Sequence, residues 1–323
     1  MPFNNEIYSE VAKLYEAARQ RSEASFGKAL AKVRNDAPEA VEITDKISAL
    51  GMATVSKVLS GTDTEQAVAE MRAEMESLLA KRGEILASAG LESDVFDQKY
   101  ECGFCKDTGV TLDGICACRA EKIQQVLHKM SNVRMSGAHT FDDFDLSLFS
   151  KEIYPDLGVS PRENMTDTFL KAKEYAADLP GIGNSLLFYG DNGLGKTFVS
   201  DCIANEYLKR GKTVFYMSAP RMFTIFEEYK FGRNTSDEAR RSIDAVFESQ
   251  LLIIDDLGAE FKTQYVESIL FEIVNSRLNE NKKTIVSTNL RLKEFADKYT
   301  HRISSRILGM YEKIIFIGND LRL

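Results

Sequence analysis

Short apolar runs alternate with longer amphipathic stretches throughout the second half of the chain. Each apolar run has the length of one strand, and the stretches between the runs carry apolar residues at helical spacing. The predicted strands are residues 185–189, 213–217, 251–255, 284–288 and 313–317. Alternating strands and helices specify a parallel sheet that helices cover on both faces. The pattern therefore predicts an α/β fold for this half of the chain.

The front of the chain has a different pattern, because residues 5–90 carry apolar positions at helical spacing. Two apolar stripes are present. Their members are Ile7, Val11, Leu14, Tyr15 and Ala18 in the first and Val68, Met71, Met75, Leu78 and Leu79 in the second. Such stripes face a core or a neighbouring helix, although one can also be the binding face for a partner. The pattern predicts a helical N-terminal region.

A turn-rich segment separates the two regions. Residues 136–163 concentrate glycine, proline and aspartate, which is typical of a connection between domains. The chain of 323 residues is long enough for two domains, one of which can hold a full α/β core. We therefore expect an N-terminal domain over residues 1–135, a linker over 136–163 and a second domain over 164–323.

Composition and charge limit the functions open to the chain. With 44% hydrophobic and 28% charged residues, it has the composition of an ordinary soluble protein. Its apolar runs are much shorter than the roughly 20 residues of a membrane span, and its polar start does not resemble a signal peptide. We therefore expect a cytoplasmic protein without a membrane partner. The net charge of -8 argues against non-specific coating of nucleic acid and confines any DNA contact to a local patch.

The segment Gly190–Thr197 matches the phosphate-loop pattern G-x-x-x-x-G-K-[ST] and lies between a predicted strand and a predicted helix, as this motif requires. Its backbone N–H groups and the helix N-terminus favour a bound phosphate. Lys196 is expected to reach the β- and γ-phosphates of ATP, and the Thr197 hydroxyl to ligate Mg²⁺. The predicted nucleotide-binding residues of the loop are Gly190, Asn192, Gly193, Leu194, Gly195, Lys196 and Thr197. The alternative is a glycine-rich turn that matches the pattern by chance.

Polar residues follow two of the predicted strands, where a phosphate-loop ATPase needs them. Asp255 and Asp256 end an apolar run; Asp255 is expected to hold the hydration shell of Mg²⁺, and Asp256 to orient or deprotonate the attacking water. Asn289 follows the next strand, where it can sense the γ-phosphate or position water, unless it is simply a turn or cap residue. Downstream, Arg302 and Arg306 lie four residues apart on one helical face.

Four of the five cysteines form a cluster with the spacing C-x₂-C, ten residues, C-x-C. They are Cys102, Cys105, Cys116 and Cys118. The two pairs can complete a tetrahedral Zn²⁺ site within a small module over about residues 100–120, and the turn residues between them predict a hairpin. Four protein ligands leave no open position, so the metal would be structural, with His128 as a substitute ligand if Cys118 does not coordinate. Disulfides are the alternative, which a cytoplasmic location disfavours. Cys202 is expected to be a small buried apolar residue.

Together these motifs resemble the AAA+ superfamily, and more closely the bacterial helicase loaders of the DnaI and DnaC type and the IstB transposition ATPases. The resemblance covers roughly residues 140–323 and rests on Gly190–Thr197, Leu251–Glu260, Thr284–Leu290, Arg302–Ile307 and Gly318–Arg322. It implies an AAA+ parallel sheet, bound ATP and Mg²⁺, and single-stranded DNA and a hexameric replicative DNA helicase as partners. The cysteine pattern ahead of the ATPase region is similar to that of DnaI-type loaders, in which a zinc-containing N-terminal domain contacts the helicase.

The resemblance also implies roles for individual residues near the ATP site. Arg306 matches the arginine finger of the family, which acts on ATP held by an adjacent subunit, so self-association would complete the site. The alternative is a surface arginine in a salt bridge. Arg322 resembles the second sensor arginine. Asp256 departs from the usual glutamate of the superfamily, and this departure predicts slow, partner-stimulated hydrolysis.

Residues 219–249 combine cationic and aromatic side chains, and in the loader family this neighbourhood contacts single-stranded DNA. The cations are Arg221, Lys230, Arg233, Arg240 and Arg241, and the aromatic residues are Phe223, Phe226, Tyr229 and Phe231. Such side chains can follow a single-stranded backbone and stack on its bases. Alternatively, Phe223, Ile225 and Phe226 are the buried face of an amphipathic helix, and the charges are its solvated face.

The expected function is that of an ATP-dependent loader of the replicative DNA helicase, an ATPase that also binds single-stranded DNA. Two alternatives stay open. One is an IstB-like transposase-assisting ATPase, whose relatives generally lack a cysteine-rich front domain; the other is a non-hydrolysing adaptor that ATP switches. A metabolic kinase is disfavoured, because Asn289 and Arg306 would have no evident use in one.

Overall fold

A computed structural model of the protein describes residues 2–60, 65–112, 114–131, 139–178 and 185–322. The helices within these ranges are α1 Pro2–Asp36, α2 Pro38–Ser60, α3 Glu65–Ser88, α4 Cys118–Ser131, α5 Pro161–Ala176, α6 Lys196–Lys209, α7 Ala219–Lys230, α8 Asp237–Glu248, α9 Gln264–Asn279, α10 Leu292–Lys298 and α11 His301–Met310. The strands are β1 Val110–Thr111, β2 Gly114–Ile115, β3 Ser185–Tyr189, β4 Val214–Ser218, β5 Leu251–Asp255, β6 Lys283–Thr288 and β7 Glu312–Ile315. None of the described helices is both long enough and apolar enough to cross a membrane.

The contacts of the chain divide it into two compact units. Residues 12–119 form one, which we call the cysteine unit; residues 1–11 together with 120–323 form the other, which we call the sheet unit. Helix α1 therefore supplies residues to both. The start of the predicted linker, residues 136–138, lies outside the described residues, and the predicted domain boundaries stay a prediction.

Helices α1, α2 and α3 confirm the predicted helical front of the chain. A small core holds them together in the cysteine unit, formed by Val33, Ala37, Ala40 and Leu86. In the first predicted stripe, Ile7, Val11, Tyr15 and Ala18 are buried and Leu14 is half-buried. In the second, Met71, Met75 and Leu78 are half-buried, whereas Leu79 is 41% exposed and was wrongly assigned to it. The side chain of Val68 lies outside the described part.

The sheet unit contains one five-stranded sheet in the order β4-β5-β6-β3-β7, with all its strands parallel. Successive side chains of a strand point to opposite faces. Leu251, Leu252, Ile253 and Ile254 of β5 are all 0% exposed, so both faces of the sheet are covered. This confirms the predicted α/β fold, with strand ends that differ from the prediction by at most two residues.

The described part of the predicted linker, residues 139–163, belongs to the sheet unit. It contains two 3-10 helices, Phe141–Asp143 and Leu146–Leu148. The Phe144 ring stacks on the ring of Phe169 in α5, with 4.3 Å between ring centroids, and Phe149 is buried. The aromatic side chains of this segment thus pack within the sheet unit.

Candidate nucleotide site and cysteine cluster

The phosphate loop Gly190–Thr197 connects the carboxyl end of β3 to the start of α6. Gly190, Gly193 and Gly195 have φ angles of 142°, 75° and 93°, which a residue with a side chain adopts only with strain. A Cβ atom at Gly190 would also overlap the carbonyl oxygen of Phe316. The glycines therefore let the loop take a conformation in which backbone N–H groups can converge on an anion.

Lys196 and Thr197 occupy the first turn of α6, at its positive N-terminus. The Lys196 ammonium is buried and donates hydrogen bonds to the carbonyl oxygens of Gly190 over 2.6 Å and Asp191 over 2.7 Å. Burial lowers the pKa of Lys196, and the nearby charges of Asp256 and Asp255 oppose that shift. Lys196 is thus held beneath the loop, next to the carboxylates of the site.

The two predicted carboxylates lie at the carboxyl end of β5. The Thr197 hydroxyl donates to Asp255 Oδ2 over 3.3 Å, so the two predicted Mg²⁺ ligands are adjacent. Asp256 follows in a left-handed conformation, with a φ angle of 55°. Burial and the charge of Asp255 raise the pKa of Asp256, while Lys196 and Arg322 lower it. The arrangement provides hard oxygen ligands of the kind that Mg²⁺ prefers.

A cavity of about 550 Å³ opens above the phosphate loop. Of the predicted site residues, those that line it are Asn192, Gly193, Leu194, Gly195, Lys196, Thr197, Asp256 and Arg322. Its other wall consists of residues that sequence reasoning missed: His139, Asp143, Phe144, Asp145, Leu148 and Phe149 of the predicted linker. The cavity has the size and the mixed polar and apolar lining of a cofactor site.

Arg322, Asn289 and Arg306 differ in their relation to the cavity. Arg322 lines it and makes a two-point ion pair with Asp320, with both N···O distances 3.1 Å. Asn289 is exposed just after β6. Arg306 on α11 is absent from the described residues that line the cavity; its Nε donates to Asn275 Oδ1 over 3.1 Å.

The four clustered cysteines converge in the cysteine unit. Their sulfur atoms all lie within 4.8 Å of one another, with Sγ–Sγ distances of 3.8 Å for Cys102–Cys116 and 3.6 Å for Cys105–Cys118. Thiolates bound tetrahedrally to Zn²⁺ at roughly 2.3 Å would lie roughly 3.8 Å apart. The predicted hairpin is confirmed by the antiparallel pairing of β1 with β2. The side chain of His128 lies outside the described part. The sulfur geometry therefore fits a four-thiolate metal site.

Polar groups around the cluster orient its sulfur atoms. The N–H of Gly109 donates to Cys105 Sγ over 3.3 Å, and the Tyr15 hydroxyl lies 3.2 Å from Cys118 Sγ. Burial opposes the Cys105 thiolate, but hydrogen bonds from Gly109 and the neighbouring thiols lower the pKa of Cys105 to about 7. The buried Asp107 carboxylate accepts the N–H groups of Glu101 and Cys102. Such outer contacts fix ligand geometry in metal sites.

Cys202, the cysteine outside the cluster, is buried on α6, as expected. Burial and the charge of Asp201 raise the pKa of the Cys202 thiol to about 12. It therefore stays a neutral thiol that packs like a small apolar residue.

The cationic and aromatic residues of 219–249 are divided between buried and exposed positions. Phe223 and Phe226 are buried on α7, as the amphipathic-helix alternative requires, and cannot stack on bases. Tyr229 is exposed, and Phe231 is 61% exposed. Lys230 lies 4.0 Å from the centroid of the Tyr265 ring. The exposed cationic and aromatic residues at the end of α7 are therefore Tyr229, Lys230, Phe231 and Arg233, and the half-buried Tyr265 lies beside Lys230.

The fold and the loop together define a phosphate-loop nucleotide-binding domain of the α/β class. Residues 175–320 match the family model described as IstB-like ATP binding protein.

Two curated relatives share the name replicative helicase loader. DnaC of Escherichia coli (strain K12) is 27% identical over 161 residues, which cover 50% of this chain and 65% of DnaC. DnaI of Bacillus subtilis (strain 168) is 26% identical over 212 residues, which cover 63% of this chain and 62% of DnaI. The chain thus spans less than two thirds of the length of each relative.

Two solved structures are similar to this chain. AMPPCP-bound DnaA from Aquifex aeolicus has a TM-score of 0.46 at 22% identity, covering 59% of this chain and 53% of that one. The crystal structure of DnaI has a TM-score of 0.44 at 23% identity, covering 60% of this chain and 93% of that one.

Proposed function

We propose that the chain is an ATP-dependent loader of a hexameric replicative DNA helicase. The observation that carries this proposal is the presence, in one chain, of a phosphate-loop cavity with its carboxylates and a separate four-cysteine cluster. The name of the two curated relatives, replicative helicase loader, supports it. The cysteine unit would dock on the helicase, and the sheet unit would bind ATP in the cytoplasm.

In the proposed ATP site, each group has a task that its position allows. Mg²⁺ bound to ATP would neutralise phosphate charge, held by the Thr197 hydroxyl and by the Asp255 carboxylate or its hydration shell. Lys196 would move from the loop carbonyls to the β- and γ-phosphates. Asp256 would orient the attacking water, and Asn289 and Arg322 would respond to the γ-phosphate. The short side chain of Asp256 favours slow hydrolysis that a partner stimulates.

Arg306 would act on ATP held by a neighbouring copy of the chain. Its position outside the cavity lining and its fixed geometry support this role. The guanidinium groups of Arg306 and Arg302 on α11 each lie 4.7 Å from the centroid of the Phe271 ring on α9. The ring therefore holds both cations by cation–π contacts. Self-association would then be part of hydrolysis, since an arginine supplied by another subunit is worth about 10³ to 10⁵ in rate.

Zn²⁺ is the metal we propose for the cysteine cluster. The sulfur separations support tetrahedral coordination by four thiolates, and a closed set of four ligands is typical of a structural site. The metal would hold the hairpin and the adjoining turns in place for docking.

Single-stranded DNA is proposed to contact the end of α7. The exposed Phe231 ring offers a stacking surface, and Lys230 and Arg233 lie 5.8 Å and 6.0 Å from its centroid. Arg241 is a weaker candidate, because it is paired with Glu6.

The match of residues 175–320 to the IstB-like family model favours one second candidate, a transposase-assisting ATPase. The two functions share the ATP site and differ in the client protein. The partner that the full chain binds therefore distinguishes them.

The test is native mass spectrometry of the full chain mixed with the replicative helicase of the same source, with and without ATP and single-stranded DNA. We expect the unaltered chain to form a defined complex whose amount depends on ATP. In the Lys196→Ala variant, ATP should no longer change the amount of complex. In the same mixtures, DNA-stimulated ATP hydrolysis should fall about 10³-fold or more in Arg306→Ala. Absence of a complex in every nucleotide state would overturn the loader proposal. A complex without any hydrolysis would instead establish an ATP-switched adaptor.

A further inference from the structure

Three hydroxyl groups from three elements converge on the carboxylate of Asp255. Tyr216 on β4 donates to Oδ2 over 2.8 Å, and Thr197 on α6 donates to the same oxygen. Ser287 on β6 donates to the other oxygen, Oδ1. Both carboxylate oxygens thus have hydroxyl partners, and the orientation of the group is fixed from two neighbouring strands.

Strand register explains why two of these hydroxyls flank Asp255. On β4, Tyr216 lies beside Ile253, and Ser218 lies beside Asp255. Because alternate residues of a strand share a face, the side chains of Tyr216 and Asp255 point to the same side of the sheet. On β6, Val286 lies beside Ile254, so the next residue, Ser287, is level with Asp255.

Ser287 has a second contact that Tyr216 lacks. Its Oγ accepts the backbone N–H of Asp256 over 3.0 Å, and its carbonyl accepts the N–H of Leu257 over 2.8 Å. The left-handed conformation of Asp256 is strained and persists only where neighbouring contacts hold it. One buried hydroxyl therefore connects the side chain of Asp255 with the peptide of Asp256.

We propose that Ser287 is a positioning residue for both carboxylates of the site, and that Tyr216 is a positioning residue for Asp255 alone. The inference rests on the proposed function, because it assigns these residues to the handling of Mg²⁺ and ATP. Loss of either hydroxyl frees the Asp255 carboxylate to rotate away from the Mg²⁺ position. Loss of the Ser287 hydroxyl also releases the turn that aims Asp256.

The experiment compares the unaltered chain with three variants, Tyr216→Phe, Ser287→Ala and Ser287→Thr. The control is Ser249→Ala: Ser249 is also buried, and its hydroxyl has no hydrogen-bond partner in the part of the chain that the structure describes. The first readout is the Mg²⁺ concentration that gives half-maximal ATP binding in calorimetry. The second is hydrogen–deuterium exchange of the peptide that contains the N–H groups of Asp256 and Leu257. The third is kcat at saturating Mg²⁺.

We expect Tyr216→Phe and Ser287→Ala to raise the half-maximal Mg²⁺ concentration about 10- to 100-fold, the usual effect of removing a group that orients a metal ligand. Only Ser287→Ala should also speed exchange of the Asp256 peptide and lower kcat about tenfold or more, because general-base positioning contributes about 10²- to 10⁴-fold to rate. Ser287→Thr keeps a hydroxyl, so its half-maximal Mg²⁺ concentration, its amide exchange and its kcat should all stay near the wild-type values. Ser249→Ala should match the wild type.

An unchanged Mg²⁺ dependence in both hydroxyl-deleting variants, in a chain that binds Mg²⁺-ATP, would overturn this inference and leave the proposed function intact. Equal amide exchange in Tyr216→Phe and Ser287→Ala would overturn the role assigned to Ser287 at Asp256, as would a Ser287→Thr variant that behaves like Ser287→Ala. If the wild type shows no Mg²⁺-dependent ATP binding, the proposed function itself fails.

Discussion

The cysteine unit and the sheet unit position their chemically active atoms by different means. The sulfur atoms come from two short pairs in one stretch, Cys102–Cys118, and turns with left-handed residues at Lys106, Asp107 and Gly109 bring them together. In the sheet unit, Asp255 meets Ser287 and Thr197 across sequence separations of 32 and 58 residues. Local turns arrange the first set, and the register of a buried parallel sheet arranges the second.

This difference teaches where each region obtains its rigidity. The exposed apolar side chains around the cysteine cluster, among them Phe104, Val110, Leu112 and Ile115, contribute little burial to it. In the sheet unit, four consecutive residues of β5, Leu251–Ile254, are 0% exposed. We therefore expect the stability of the cysteine unit to depend on metal binding. The stability of the sheet unit should depend on packing and buried hydrogen bonds.

The largest expected effect is loss of the proposed Zn²⁺. The double variant Cys102→Ser, Cys105→Ser should bind no Zn²⁺ and lose apparent stability on the order of 10 kcal/mol around residues 101–119, since structural Zn²⁺ contributes folding free energy directly. Metal analysis and hydrogen–deuterium exchange of these residues measure the effect. Cys202→Ala is the control and should keep its Zn²⁺. An equal rise in amide exchange in the five-stranded sheet would show that the stabilities of the two regions are not independent.

A smaller effect is expected from Arg277 in the sheet unit. This arginine is 1% exposed and donates to Thr284 Oγ1 and to the carbonyl oxygens of Val246, Ser249 and Lys283. Arg277→Met leaves these acceptors buried without their donor, at about 1–3 kcal/mol for each unsatisfied group, so we expect at least about 3 kcal/mol of destabilisation. Urea unfolding followed by circular dichroism measures it.

The exposed Arg221→Met serves as the control for Arg277→Met and should change stability by less than about 0.5 kcal/mol. The Zn²⁺ content of both variants should equal that of the wild type. If Arg277→Met released Zn²⁺, the stability of the cysteine unit would depend on the packing of the sheet unit.

The smallest effect is expected from Tyr15, whose hydroxyl lies beside Cys118 Sγ. Tyr15→Phe keeps the ring that packs against Gly109 and removes the hydrogen bond to the sulfur. We expect Zn²⁺ affinity to fall about 10- to 100-fold, measured by competition with a chelator. The matched control is Tyr100→Phe, whose hydroxyl donates to Gln98 in the same unit. An equal loss in both variants would show that the effect is not specific to the cluster.

The sheet and the phosphate loop could be predicted from sequence because their signals are local. A buried parallel strand is a continuous apolar run, as in Leu251–Asp255, and the loop needs glycines at fixed spacing. The cysteine spacing was likewise sufficient to predict the converging sulfur atoms.

Other parts of the candidate site have no such signal. Ser287 and Tyr216 occur in strands whose hydroxyls look like any others in sequence, and only the register between strands places them beside Asp255. The wall that contains Phe144 and Phe149 was interpreted as a linker from its turn residues. A solvent-exposed linker offers no place to bury aromatic side chains, so the aromatic residues of this segment were the signal that could have revealed its packing.

Phe144, which stacks on Phe169, lies in the wall of the cavity and is therefore a suitable position for a fluorescent side chain. The chain contains no tryptophan, so its ultraviolet emission comes from 12 tyrosines. An indole placed at Phe144 would be the single red-shifted emitter of the chain. Light from that ring would report the polarity of the cavity directly, without a dye and without any change to the phosphate loop.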